Sequence, residues 1–263
     1  MSTNRIEQRM KALQDKNEKA FITYITAGLP DMQATEEIIK AQSGITDVIE
    51  LGIPFSDPIA EGPVIQEANE RALAAGCTID KLFDMVKDLR KTVKVPIVYL
   101  TYINPIHTYG KEKFMNRCNE CGIDGLIIPD LPYEEKGEIK DVCKAHNIDM
   151  ISLIAPTSKE RITMIAKEAE GYIYCVSSLG VTGVRSEITS DIGGMVELCR
   201  EASNVPVAVG FGISTPEQAK NMAALSDGAI VGSAIVKMVA QYGKDVVPYI
   251  GDYVEAMKKA VIS

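Results

Sequence analysis

Short apolar stretches recur at regular intervals along the chain, and amphipathic stretches separate them. Eight of these runs predict β-strands: Ala20–Thr26, Asp47–Leu51, Pro96–Thr101, Gly125–Pro129, Asp149–Ile154, Tyr172–Ser177, Pro206–Gly210 and Gly228–Gly232. Several of the runs are apolar almost throughout, which is typical of parallel strands that are covered on both faces. The pattern therefore predicts an α/β protein built around a parallel sheet.

The stretches between the predicted strands show helical spacing. One helix is predicted behind a candidate N-cap at Thr78, with apolar positions at three- and four-residue steps: Ile79, Leu82, Val86 and Leu89. Thr215-Pro216-Glu217-Gln218 combines a cap, a proline at the first helical position and a glutamine three residues after the cap, which predicts another helix start. A further helical pattern, about Arg5–Asp15, precedes the first strand and is expected to cover the bottom of a barrel.

Eight strands alternating with helices fit either a (β/α)8 barrel or an open doubly wound sheet. The number of strands and the length of 263 residues favour the barrel. Gly210-Phe211-Gly212 is only a fragment of a dinucleotide-binding fingerprint, and it lies far from the first βα unit. Without a visible linker, residues 1–263 are expected to form one (β/α)8 TIM barrel domain. We expect an extra N-terminal helix and long loops after strands 2 and 6.

Composition narrows the class of protein. Apolar residues make up 46% and charged residues 24%, which is typical of a globular chain. The net charge of −8 argues against nucleic acid or an anionic membrane surface as a partner. No apolar stretch is long enough for a membrane span, and residues 1–10 lack a signal-peptide core, so a cytoplasmic location is expected. The six cysteines are interpreted as reduced core thiols, including the Cys118-x-x-Cys121 pair on a helix.

Active sites of (β/α)8 barrels lie at the carboxyl ends of the strands, so the residues there limit the chemistry. None of the eight runs contains lysine, which argues against a Schiff-base aldolase. With two histidines in the chain, a histidine-rich metal site is not expected. Carboxylates remain, and strand alternation places Glu50 on the face that would point into the barrel mouth. Burial there would raise its pKa and suit a general acid, although a salt bridge at the rim is the alternative.

Glycines follow several predicted strands and provide a second signal. Gly210–Thr215 closes strand seven, Gly232-Ser233 closes strand eight, and Thr182-Gly183 lies in the loop after strand six. Barrel enzymes often bind phosphate with these loops and a helix N-terminus. The alternative is that these glycines only form tight turns. The residues together favour a barrel enzyme that acts on a small phosphorylated substrate by carboxylate acid–base chemistry without a metal.

The segment Glu50–Pro58, Glu-Leu-Gly-Ile-Pro-Phe-Ser-Asp-Pro, closely resembles the tryptophan synthase α subunit family. Further matching motifs follow in the family's order: Tyr102–Pro105, Pro129–Pro132, Tyr174–Gly183, Val207–Ser214 and Gly228–Ser233. The resemblance covers about residues 21–235. It implies a (β/α)8 barrel that cleaves indole-3-glycerol phosphate to indole and D-glyceraldehyde 3-phosphate, a retro-aldol reaction without a Schiff base or a metal.

The resemblance also implies roles for two glutamates. Glu50 matches the catalytic acid that protonates C3 of the indole ring and then helps to deprotonate the glycerol hydroxyl. Glu61 occupies the position of the second catalytic carboxylate, where the family pattern has Asp, so its arm is longer by one methylene, about 1.5 Å. One alternative is a chain that mainly activates its partner and has weak catalysis of its own because of Glu61. Another is a different phosphate-binding barrel of the same pathway, such as an indoleglycerol-phosphate synthase or an isomerase. The synthase would need a catalytic lysine on a strand, and none is present.

Other positions acquire roles from the same resemblance. The residues implied in substrate binding are Tyr24, Leu100, Tyr102, Ile154, Tyr174 and Thr182, and those implied in phosphate binding are Gly183, Gly212, Gly232 and Ser233. The loop around Asp57 and Pro58 would face a β subunit, which receives the indole through an internal passage. This implies an α2β2 heterotetramer in which the β subunit holds pyridoxal phosphate and this chain holds no cofactor and no metal.

Overall fold

A computed structural model of the chain describes residues 4–176, 191–210 and 212–263. Its strands are β1 Ala20–Thr26, β2 Val48–Gly52, β3 Ile97–Leu100, β4 Gly125–Ile127, β5 Asp149–Met150, β6 Ser152–Ile154, β7 Ile173–Val176, β8 Val207–Gly210 and β9 Gly228–Val231. Its α-helices are α1 Arg5–Asp15, α2 Met32–Gln42, α3 Pro63–Ala74, α4 Ile79–Leu89, α5 Ile103–Tyr109, α6 Lys111–Cys121, α7 Gly137–Ala145, α8 Lys159–Lys167, α9 Ile192–Ala202, α10 Pro216–Leu225, α11 Ser233–Tyr242 and α12 Val247–Val261. Short 3-10 helices span Tyr133–Glu135 and Gly243–Val246.

The strands form one parallel sheet in the order β5-β4-β3-β2-β1-β9-β8-β7-β6. Its two end strands are consecutive in the chain and are separated only by Ile151, whose N–H donates to the carbonyl of Leu126 at 2.9 Å. The sheet therefore closes into a barrel. The predicted strand Asp149–Ile154 corresponds to β5 and β6, which are interrupted only at Ile151. The predicted (β/α)8 barrel is confirmed, and the open doubly wound alternative is wrong.

Strand alternation separates two apolar cores. In β2, Ile49 and Leu51 belong to the larger core between the sheet and the helices. Val48 belongs to the smaller core inside the barrel. Glu50 shares the face of Val48, so it points into the barrel as the alternation predicted.

Helix α1 closes the bottom of the barrel. Its apolar residues Ile6, Met10 and Leu13 pack with the interior core. Asn4 caps the helix by accepting from the N–H of Ile6 at 2.8 Å, and its amide donates to the carbonyl of Asp124 at 2.7 Å. The predicted cover at this end is therefore present, and the opposite end of the barrel remains available for a site.

Local sequence signals identified several helix ends correctly. Thr78 caps α4 by accepting from the N–H of Lys81, and Thr215 and Gln218 form the capping box of α10. Cys118 and Cys121 lie on the buried face of α6. The cysteines of the chain are all buried and free. Within the three described segments, no helix has the length and apolar character needed to cross a membrane.

The loop between β2 and α3, residues 53–62, lies at the carboxyl end of the strands, as expected for an active-site loop. Most of the other long loop that the sequence predicts, Ser177–Asp191, lies outside the described residues. The site is therefore described below from the β2–α3 loop, the strand ends and the start of α11.

Candidate active site

A cavity of about 530 Å³ opens at the carboxyl end of the barrel strands. Its wall contains eight of the predicted site residues: Tyr24, Glu50, Glu61, Leu100, Tyr174, Gly212, Gly232 and Ser233. These residues come from six different strands or the segments that follow them, because the barrel brings the ends of parallel strands to one rim. The volume is in the range of small-molecule sites.

Glu50 lies at the inner end of the cavity and is 1% exposed. The hydroxyl of Tyr172 donates to its Oε1 at 2.7 Å. Burial raises the pKa of Glu50 to about 8, and the bond from Tyr172 only partly opposes this rise. Glu50 is therefore predominantly neutral at pH 7 and has a proton to give, which is the condition for a general acid.

Glu61 reaches the same cavity from the β2–α3 loop and is 6% exposed. Burial raises its pKa to about 7, although a hydrogen bond from Asn69 to its carboxylate lowers it. The distance between Asn69 Nδ2 and Glu61 Oε2 is 2.7 Å. Two carboxyl groups with pKa values near neutrality thus line one cavity, which is typical of acid–base sites.

The loop around Glu61 is fixed by side chains from the barrel rim. The hydroxyl of Tyr102 accepts from the N–H of Ala60 at 3.1 Å, and Gln66 Nε2 donates to the carbonyl of Glu61 at 2.8 Å. The ring of Tyr102 also packs on Phe55, with 5.1 Å between the ring centroids. These contacts hold the backbone at the N–H of Ala60 and at the carbonyl of Glu61.

Two interior glycines make room for the aromatic wall. A Cβ at Gly52 would collide with the hydroxyl of Tyr24, and a Cβ at Gly210 would lie 2.6 Å from the hydroxyl of Tyr174. Any side chain at either position would push a phenol ring out of place. Glycine is therefore required there by the close approach of the rings, and the cavity gains flat walls suited to an aromatic ligand.

The far end of the cavity has the features of an anion site. Gly232 is the N-cap of α11 and Ser233 its first residue, and both line the cavity. The first N–H groups of this helix have no intrahelical acceptor, which makes its start a site for an anion. Gly212 adopts a positive φ of 80° beside them. Among the described lining residues, no side chain carries a positive charge. Backbone donors and the helix dipole are thus the groups that would attract an anion at this end.

Some predicted residues lie elsewhere than expected. Ile154 packs in the core between the sheet and the helices, and Leu153 occupies the cavity wall at this strand. Tyr102 accepts a hydrogen bond from the β2–α3 loop, as described above, and is not part of the cavity wall. Asp57 is exposed in the β2–α3 loop, next to the partly exposed Pro58. Thr182 and Gly183 lie outside the described residues.

Sequence reasoning missed three residues that matter to the site: Leu153, Tyr172 and Asn69. Alternation from Tyr174 back to Tyr172 would have placed Tyr172 inside the barrel. Alternation did not settle Leu153, because both faces of a parallel strand are apolar and each register is acceptable. The local sequence around Asn69 contains no signal of its contact with Glu61. The described residues contain no cluster of His, Cys, Asp and Glu that could hold a metal ion.

Comparisons with known proteins give one consistent result. A family model described as tryptophan synthase alpha chain matches residues 10–261. The tryptophan synthase alpha chain of Caldanaerobacter subterraneus subsp. tengcongensis is 48% identical over 239 residues, 90% of this chain and 91% of the relative. That of Thermoanaerobacter sp. is 44% identical over 261 residues, 98% of this chain and 100% of the relative. Tryptophan synthase subunit alpha from Legionella pneumophila str. Paris has a similar structure, with a TM-score of 0.90, 38% identity and 99% coverage of both chains.

Proposed function

Because this chain belongs to the tryptophan synthase alpha chain family, we propose that it cleaves indole-3-glycerol phosphate to indole and D-glyceraldehyde 3-phosphate. This makes it a carbon–carbon lyase of tryptophan biosynthesis. The observation that carries the proposal is the pair of buried carboxyl groups, Glu50 and Glu61, in the wall of one cavity.

Glu50 supplies the proton in this reaction. Its neutral carboxyl group protonates C3 of the indole ring, and the resulting carboxylate takes the proton of the glycerol hydroxyl next to the scissile bond. The carbon–carbon bond then breaks, its electron pair returns to the indole ring, and the hydroxyl-bearing carbon becomes the aldehyde. The raised pKa of about 8 supports the first step, because the group still holds its proton at neutral pH.

Glu61 has the complementary role. Protonation at C3 leaves a positive charge on the indole ring, and an ionised Glu61 stabilises that charge and accepts from the ring N–H. The pKa of Glu50 is raised to about 8 and that of Glu61 to about 7. The productive combination of neutral Glu50 and ionised Glu61 is therefore most populated between about pH 7 and pH 8. The rate is therefore expected to fall on either side of this window.

The rest of the cavity orients the substrate. The indole ring lies among Tyr24, Leu100 and Tyr174, and the phosphate meets Gly212 and the start of α11 at Gly232 and Ser233. Thr182 and Gly183 remain proposed contacts from the resemblance. A cavity lined by both aromatic rings and a helix N-terminus suits a ligand with an apolar ring and an anionic end.

The family implies a β subunit as partner, and we infer an α2β2 heterotetramer in which the β subunit holds pyridoxal phosphate. The exposed Asp57 and the partly exposed Pro58, with Ile59 at 74% exposure, support this loop as the contact surface. The alternative of a mainly activating chain is not favoured, because Glu61 reaches the cavity despite its longer arm. A cytoplasmic location stays a prediction.

The test is indole release from indole-3-glycerol phosphate by the purified chain, with and without a tryptophan synthase β subunit and without added metal. We expect release that rises with the β subunit, and a loss of roughly 10²–10⁴-fold in Glu50→Gln, as for removal of a general acid. A folded wild-type chain that releases no indole under either condition would refute the proposal, as would wild-type turnover by Glu50→Gln.

A further inference from the structure

Asn69 lies outside the cavity wall, yet it contacts the carboxylate of Glu61. It belongs to α3, is 1% exposed, and its Nδ2 lies 2.7 Å from Glu61 Oε2. We propose that Asn69 is a positioning residue that holds one oxygen of Glu61 and fixes the direction from which this carboxylate meets the substrate. The inference rests on the proposed function, because it assigns Asn69 to the second carboxylate of that reaction.

The length of Glu61 explains why such a residue is needed. Glu has one more rotatable bond than the Asp of the family pattern, so its carboxylate has more conformations to lose when it is fixed in the cavity. Gln66 and Tyr102 hold only the backbone on either side of Glu61. Among the described residues, Asn69 is the one that donates to the carboxylate of Glu61. The carboxylate is the part of the side chain that the extra rotatable bond would let move.

The amide of Asn69 also distinguishes the charge states of Glu61. An ionised carboxylate only accepts hydrogen bonds, so it requires the Nδ2 end of the amide. The other end, Oδ1, is buried and has no hydrogen-bond partner within the described residues. A buried polar atom without a partner destabilises a fold and calls for an explanation. The orientation of the Asn69 amide explains the unpartnered oxygen: Nδ2 points at the ionised carboxylate of Glu61, and Oδ1 is left without a donor.

The position of Asn69 behind Glu61 leaves the cavity side of the carboxylate to the substrate. Asn69 approaches from α3, which begins directly after the β2–α3 loop. Ile65, four residues earlier on the buried side of this helix, is part of the cavity wall. Asn69 therefore sits one helical turn behind the wall. It reaches the reaction only through Glu61, so its removal should alter the behaviour of Glu61 and leave substrate affinity nearly intact.

The experiment compares Asn69→Leu, which keeps the approximate shape but removes the amide, with the wild type and with Gln66→Leu. Each chain is assayed with the β subunit for kcat and KM between pH 5.5 and pH 9. For Asn69→Leu we expect kcat at pH 7 to fall about 10- to 100-fold, the effect of losing a hydrogen bond to a charged group. KM should change far less. The acid limb should move up by about one pH unit, because Glu61 keeps its proton longer without the donor.

Gln66→Leu is the matched control, since Gln66 binds only the backbone carbonyl of Glu61. Its acid limb should stay at the wild-type pH whatever happens to its rate. A second arm repeats the substitution in Glu61→Asp, whose side chain is shorter by one methylene, so we expect it to lose the contact with the amide. There Asn69→Leu should cost little further rate, so the two losses should not add. Equal losses in both backgrounds would indicate a merely structural role and would overturn the inference.

A titration separates failure of this inference from failure of the proposed function. The ¹³C NMR signal of the Glu61 carboxyl group, identified with Glu61→Gln, reports its pKa in the isolated chain without any turnover. The inference requires a higher Glu61 pKa in Asn69→Leu than in the wild type, even if the chain proves inactive. Unchanged titration and an unchanged acid limb would overturn it while leaving the lyase assignment intact. If Asn69→Leu does not fold, Asn69→Ser is judged by the same criteria.

Discussion

Two buried aspartates at the bottom of this barrel and two buried glutamates at its mouth meet opposite kinds of partner. At the bottom, Asp47 contacts Arg9 and Lys258, and Asp124 contacts Arg5 and Arg90. Each also accepts from a backbone N–H, that of Phe21 for Asp47 and that of Ile97 for Asp124. Their charges are compensated by cations from α1 across the bottom, from α12 and from the C-terminal end of α4.

At the mouth, Glu50 and Glu61 receive only neutral donors in the described part of the chain, Tyr172 and Asn69. Burial without a compensating cation favours the neutral form, which is why the pKa values of the two glutamates rise to about 8 and about 7. The difference shows that equal burial can serve two purposes. An ion-paired carboxylate fixes elements to each other, and a carboxylate with neutral donors stays able to gain and lose a proton.

The largest expected effect is on the free energy of unfolding, when an ion pair at the bottom of the barrel is broken. Asp124→Asn leaves the guanidinium of Arg90, whose side chain is 10% exposed, without its counter-ion. The unfolding free energy in urea should fall by about 3–5 kcal/mol, as for a broken buried pair. The turnover of the folded fraction should stay near the wild-type value. Glu134→Gln breaks an exposed pair with Arg161 and is the control, with a far smaller expected loss because solvent screens this pair. Equal losses in the two variants would contradict the conclusion that the buried pair of Asp124 and Arg90 stabilises the bottom of the barrel.

The next effect is a gain in stability, and it concerns Glu50 at the mouth of the barrel. The pKa of Glu50 is higher in the folded chain than the 4.5 of an ordinary Glu, so the unfolded state releases its proton first. Stability is therefore lost as the pH rises from about 4.5 to about 8. Glu50→Gln removes this loss. It should be more stable than the wild type at pH 9 by a few kcal/mol, while the difference largely disappears at pH 5.

Urea unfolding at the two pH values measures this difference. Glu217→Gln, at an exposed position, is the control and should match the wild type at both. A Glu50→Gln chain that is less stable than the wild type at pH 9 would mean that the ionised Glu50 is compensated like Asp124, and the contrast between the two ends would fail.

The smallest effect concerns the loop that carries Glu61. Tyr102→Phe removes the hydroxyl that accepts from the N–H of Ala60. One neutral hydrogen bond contributes about 1 kcal/mol, so kcat should fall roughly 3- to 10-fold with little change in the melting temperature. Tyr109→Phe removes a hydroxyl bonded to the exposed Asp80 and should leave kcat unchanged. Equal rates in wild type and Tyr102→Phe would show that the other contacts of the loop suffice.

Much of this architecture was predictable from the sequence because it depends on local patterns. The strand runs, the N-cap at Thr78 and the capping box at Thr215 each involve residues a few positions apart. The inward direction of Glu50 followed from its alternation with Ile49 and Leu51. The family resemblance then pointed to Glu61, which the residues alone would have left as a solvated loop position.

The tertiary structure decided what local patterns leave open. It placed Leu153 in the wall and Ile154 in the outer core, because both faces of that strand are apolar and hydrophobicity does not distinguish them. It also brought Tyr172 to Glu50 across 122 positions of the chain. The sequence by itself determined the barrel and its carboxylates, since periodicity and residue type are written along the chain. Only the closed barrel decided which of those carboxylates are neutralised by cations and which stay free to exchange a proton, since that depends on partners from distant strands and helices.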